Sequence, residues 1–119
     1  MSYVFDVDGE VVWSPALRIG KLFVSTAETL AGNAGVGLAD AGLTMMASDY
    51  YYVNPAALAA FVRSSLAGSM VVNPVYAELS RGFLVVSLVV LDRCGVDMTP
   101  EQAAHGELFE ARDALASSM

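Results

Sequence analysis

A chain of 119 residues has the length of one ordinary domain, and an apolar fraction of 55% is ample for a single core. Thirteen acidic residues against six basic ones give a formal net charge of -7, which argues against a nucleic-acid backbone or an anionic membrane surface as partner. A basic protein or a neutral small molecule fits that charge, and the single cysteine, Cys94, excludes an intrachain disulfide and a cysteine-rich metal site.

The start, Met1-Ser2-Tyr3-Val4-Phe5-Asp6, lacks the positive and apolar regions of a secretory leader, so a cytoplasmic location is expected. Tyr3 to Val7 and Glu10 to Trp13 are runs of aromatic and β-branched residues joined by Asp8-Gly9, the signature of a type I' turn, and predict a β-hairpin. Pairing Val7 with Glu10 sends Tyr3, Phe5 and Val12 to one face and Val4, Val11 and Trp13 to the other.

Each of the four prolines follows a residue suited to cap a helix: Ser14-Pro15, Asn54-Pro55, Asn73-Pro74 and Thr99-Pro100. Four helix starts are therefore predicted, the last with Gln102 at N3 to complete a capping box. The first helix is expected from Pro15 to Ala31, burying Ile19, Leu22, Phe23, Ala27 and Leu30, with Gly32 as its stop. Gly32 to Ser48 is rich in Gly and Ala, and no regular element is assigned there. Asp49 to Val53 has strand composition and predicts a third strand, with Tyr51 on the face opposite Tyr50 and Tyr52.

A second helix, Pro55 to Ala67, buries Leu58, Phe61, Val62 and Leu66 and ends at Gly68. Ser69 to Val72 connect it to Pro74–Arg93, whose middle, Gly82 to Leu91, is apolar except for Ser87. Leu79, Phe83, Val86 and Val90 share one side of this helix and Leu84 and Leu91 lie on another, leaving a narrow polar stripe of Glu78, Arg81 and Asp92. Glu78 and Arg81 are spaced for an ion pair. Because charges flank the apolar run on both sides and it is shorter than a span, it is read as the central helix of a soluble core. A last helix from Pro100 to Ala116 carries the stripe Ala104, Leu108, Ala111 and Leu115, with Phe109 off it.

The segments Val12-Trp13-Ser14-Pro15-Ala16, Leu22-Phe23-Val24 and Asn54-Pro55-Ala56-Ala57 resemble those of a small actinobacterial family of unknown function, over most of the first two thirds of the chain. The resemblance implies a bacterial cytoplasmic origin and supplies no catalytic residues.

Among candidate sites, Asp49 beside Tyr50 and Tyr52 offers a carboxylate base and phenol donors for proton transfer, and Tyr51 with Met45 and Met46 offers an apolar lining. The bland reading of the same residues is a strand with alternating rings. Gly32-Asn33-Ala34-Gly35-Val36-Gly37 invites a phosphate-loop reading, but it follows a helix and lacks Gly-Lys-Ser/Thr, which favours a connecting loop or a lid. His105 is the sole histidine, so no His-based metal cluster is available; no metal and no cofactor are expected. Cys94 sits at a helix C-terminus, where the dipole disfavours a thiolate. For contact with a protein partner the candidates are Trp13 and Phe109 as apolar anchors and Glu107 and Glu110 as charges.

The expected architecture is α+β: one domain over residues 1–119, with an N-terminal β-hairpin and a third strand packed on four helices around the central apolar helix. Two functions fit it. One is a non-enzymatic acidic interaction protein, immunity-like or regulatory, that binds a protein partner or itself. The other is a small pocket enzyme or carrier of a neutral ligand, built on Asp49 and its neighbouring tyrosines.

Overall fold

Asp8 and Gly9 reverse the chain with φ of 52° and 89°, the left-handed pair that a type I' turn demands. They join β1 (Val4–Val7) to β2 (Glu10–Trp13) in a computed structural model that describes residues 2–68 and 73–119. The remaining elements are α1 (Leu17–Asn33), β3 (Leu43–Ala47), β4 (Tyr50–Val53), α2 (Pro55–Ala67), α3 (Pro74–Arg93), α4 (Thr99–Ala104) and α5 (Gly106–Ala116). The expected connection from Ser69 to Val72 lies outside the described residues.

The strands form one mixed sheet in the order β2-β1-β4-β3, with β1 and β4 parallel at its centre. The fold is α+β, as the sequence indicates, but the sheet has a fourth strand. β3 falls in the Gly/Ala-rich stretch and pairs antiparallel with β4, Leu43 opposite Val53. Gly42 makes this hairpin fit under α2: its φ is +101°, and a Cβ there would meet the Leu58 nitrogen at 2.5 Å.

Trp13 lies on the core face, contrary to the alternation predicted for it. Val7 pairs with Glu10 as expected and Asp6 with Val11, but a bulge at Val12 then sets Trp13 opposite Phe5. The Trp13 ring stacks on Phe5 at 5.2 Å and meets Phe23 edge-on at 5.3 Å. Arg93 satisfies the carbonyl of the bulged Val12 with a 3.0 Å hydrogen bond.

Two of the four proline-marked starts behave as predicted. The Asn54 side chain accepts from Ala57 N–H at 3.1 Å, and the Asn73 side chain accepts from Val75 and Tyr76 N–H at 2.9 and 3.1 Å. At the first, Ser14 donates to the Tyr3 carbonyl at 3.1 Å, Pro15 O accepts from Tyr3 N–H, and α1 begins only at Leu17 without a side-chain cap. At the last, the cap position is Met98 and no capping box forms; Asp97 accepts from Thr99 N–H at 2.9 Å instead. The final helix is also two helices, because the backbone breaks at His105 with φ -131° and ψ 52°. The break keeps α4 tied to α2 through Arg63 and Glu101, 2.7 Å apart, while α5 lays Leu108 and Phe109 on the core.

α3 lies at the centre, with α1, α2 and α5 packed around it. Over its 20 residues it is long and apolar enough to cross a membrane, so length alone does not exclude a span. It is used as a core helix: Phe83, Leu84, Val85, Leu88, Val89, Val90 and Leu91 are buried by the rest of the chain.

Candidate functional site

The side of α1 that meets the sheet is made of small residues. Gly20, Val24, Ala27 and Ala31 are buried, and a Cβ at Gly20 would come within 2.4 Å of the Tyr3 ring. This close approach rotates the larger residues away from the expected core face. Ile19 and Leu22 are consequently 55% and 69% exposed, and only Phe23 and Ala27 of the predicted stripe are fully buried. On α3, Leu79 is 80% exposed although Phe83, Val90, Leu84 and Leu91 are buried as expected.

These outward residues face one another. Ile19, Leu22, Phe23 and Thr26 on α1, and Leu79, Gly82, Phe83 and Val86 on α3, each follow the i, i+3, i+4, i+7 spacing and line one groove of about 630 Å³. Its lining includes the buried Phe23–Phe83 stack, 5.1 Å between centroids, together with Trp13, Leu115 and Met119. A cavity of about 390 Å³ continues the seam past Leu79 between Ser25, Thr29 and Asn33 of α1 and Tyr76 and Ser80 of α3. Gly82 keeps the wall of the groove low, with no atom within 4 Å of where a Cβ would stand.

Among the described residues, the side chains that line the larger groove are apolar apart from Ser14, Thr26, Ser118 and the indole N–H of Trp13. The groove can therefore hold an apolar surface. Covering an exposed leucine such as Leu79 is worth about 1.5–3 kcal/mol, enough for a few such residues to anchor a partner.

The sequence-predicted candidates are dispersed. Asp49 is half-buried in the turn between β3 and β4, where its carbonyl accepts from Val4 N–H at 2.8 Å. Tyr51 packs in a triangle of rings with Tyr3 and Phe5, at 5.9 and 5.8 Å between centroids, and burial pushes its phenol above the ordinary value. Tyr50 and Tyr52 lie on the opposite sheet face, and the Tyr50 hydroxyl donates to the Asp6 carboxylate, which raises the Tyr50 pKa. Met45 and Met46 are exposed on the edge strand β3. Neither cavity touches Asp49 or any of these tyrosines and methionines.

Trp13 and Phe109, expected as surface anchors, are 6% and 1% exposed and belong to the core. Trp13 is turned in by the bulge, and Phe109 by the bend at His105, though Trp13 still lines the groove. Glu107 pairs with Arg81 at 3.2 Å, in place of the expected Glu78–Arg81 pair, and Glu110 is exposed. Burial raises the Cys94 thiol pKa. The Gly32–Gly37 segment begins in the last turn of α1 and runs past its carbonyl end, which repels a phosphate. Among the described residues no three His, Cys, Asp or Glu side chains are placed to hold a metal ion.

The groove residues Ile19, Leu22, Leu79 and Gly82 were not legible as a site. Their only sequence signal is that α1 and α3 together carry more apolar residues than one buried side of each requires.

Fold and groove define an α+β domain with a helix-lined apolar cleft. The whole chain, residues 1–119, matches the model of a family of unknown function, DUF6086, and the protein belongs to that family. No curated protein and no solved structure matches it.

Proposed function

We propose that this protein is a non-enzymatic acidic interaction protein, immunity-like or regulatory, that acts in an actinobacterial cytoplasm and binds an amphipathic helix of a basic protein partner. The observation that carries the reading is the pair of matched apolar stripes left uncovered on α1 and α3. Two neighbouring helices with i, i+3, i+4, i+7 stripes form the seat that a third helix fills in helix-in-groove recognition. The net charge of -7 supports a basic partner over a second copy, because two such chains repel while a cationic helix is steered in. The pocket-enzyme reading has less support, since Asp49 and the tyrosines adjoin neither cavity.

The test uses two model helices of about five turns, one with a leucine stripe and lysines elsewhere, the other with the same stripe and glutamates. Calorimetric titration is expected to show the lysine peptide binding and the glutamate peptide not. The double substitution Leu22→Asp with Leu79→Asp weakens the lysine peptide by at least about tenfold, because both leucines lose their burial on binding. Equal binding to the native chain and the double variant contradicts the groove as the seat.

A further inference from the structure

The sheet has a second face, on the side away from Phe5, Tyr51 and Val53. Phe5, Tyr51 and Val53 point into the core, so their strand neighbours Val4, Asp6, Tyr50 and Tyr52 point the other way. The register sets Val4 opposite Tyr50 and Asp6 opposite Tyr52, with Val11 across from Asp6 on β2 and Thr44 across from Tyr52 on β3. Val11 and Thr44 are exposed, and Val4, Tyr50 and Tyr52 are half-buried.

Asp6 is anomalous in this setting. It is only 6% exposed, it sits on a central strand, and its recorded side-chain hydrogen bond is the one donated by Tyr50. None of the ion pairs among the described residues includes it. Tyr50 takes one carboxylate oxygen, while the other is not among the buried side-chain atoms that lack a partner and so stays open to a further donor. The four strands carry no Lys or Arg, while Asp8 and Glu10 lie at the hairpin turn of the same sheet.

We propose that this face is a second contact surface, in which the Asp6 carboxylate, opposite Tyr52 and hydrogen-bonded to Tyr50, receives the guanidinium of an arginine on an extended segment of a basic partner polypeptide. Guanidinium fits better than ammonium, since its planar fork pairs with a carboxylate while its faces stack on aromatic rings. The acidic turn steers such a segment, and alternation along a strand lets successive side chains meet Asp6 and the Val4–Val11 patch. The inference rests on the reading of the protein as an acceptor of basic partners, but it uses a face remote from the groove.

The experiment titrates the isotope-labelled full chain with a blocked hexapeptide of alternating threonine and arginine, followed by NMR. Amide shifts are expected in Val4–Val7 and Tyr50–Val53, with affinity in roughly the millimolar to sub-millimolar range. Asp6→Asn keeps the side-chain shape and is expected to abolish these shifts, while Asp8→Asn weakens binding by less than about threefold, as a screened surface charge should. Tyr52→Leu, a second variant that leaves the carboxylate in place, weakens the peptide by at least about fivefold through the lost stacking. Equal losses for Asp6→Asn and Asp8→Asn overturn the proposal in favour of diffuse attraction. Equal affinity for free arginine amide overturns it in favour of a small-cation site, and shifts confined to α1 and α3 overturn it in favour of the groove. Gly82→Phe, which fills the groove, leaves the hexapeptide shifts intact, so the two surfaces can fail separately.

Discussion

Gly42 shows how one residue sets the position of an element. Its left-handed φ of +101° and its contact with the Leu58 backbone let β3 enter the sheet directly beneath α2, while its carbonyl accepts from Asn54 N–H at 2.8 Å. Gly42→Ala combines strain at positive φ with a Cβ placed against main chain that cannot rotate aside. The expected loss is about 2–4 kcal/mol in urea unfolding, at the upper end for a single methyl because two mechanisms add. A loss below about 0.5 kcal/mol would mean that the β3 entrance is not fixed in this way. Gly35, Gly37 and Gly42 look alike in sequence, and only the packing of Leu58 distinguishes the last of them.

At the scale of elements, legibility follows how local the cause is. α2 and α3 were readable at both ends because Asn54 and Asn73 cap them from the adjacent residue and the apolar run behind each is long. The β1–β2 turn was readable for the same reason. Trp13 was misplaced because the bulge at Val12 answers to Arg93, 81 residues away in sequence, and no alternation rule contains that contact. β3 is not legible because Leu43–Ala47 holds no aromatic residue and a single β-branched one, Thr44, and its partner strand rather than its composition makes it a strand. The orientation of α1 was misjudged because a face of Gly and Ala can outcompete one of Ile and Leu when it lets the helix approach the sheet more closely.

The start of α4 carries a pH signature that can be checked. Hydrogen bonds from the Thr99 side chain and backbone hold the Asp97 carboxyl below its ordinary pKa, with Arg63 adding to the effect. A carboxyl whose folded pKa is depressed contributes stability above its unfolded pKa and loses it as pH falls through the folded one. Asp97→Ala is therefore expected to lower Tm at neutral pH, with the gap to the native chain closing as pH drops below the ordinary carboxylate range. Thermal melts from neutral to strongly acid solution measure this. A gap that stays constant with pH would mean that Asp97 acts only through packing.

For the whole molecule, the charge of the sequence and the burial of its residues bear on the interaction reading in different ways. The acid excess and the lack of a catalytic set remain the basis of the interaction reading, yet the anchors chosen for it, Trp13 and Phe109, are core residues. Within the groove the exposed large apolar residues are Ile19, Leu22 and Leu79, each of which looks like ordinary core on a helical wheel. Which side of an amphipathic helix is left open is decided by the number of elements available to cover it, and that is a property of the assembled fold.

The most direct measurement is the affinity of the leucine–lysine helix for the native chain and for Gly82→Phe. Gly82 is exposed in the middle of the groove and its side-chain direction meets nothing within 4 Å, so the new ring fills the seat without disturbing the core. The account predicts that binding falls by at least about tenfold, equivalent to about 1.4 kcal/mol, while the melting temperature is maintained. Undiminished binding to a folded Gly82→Phe chain would contradict it and move the partner surface away from the α1–α3 groove.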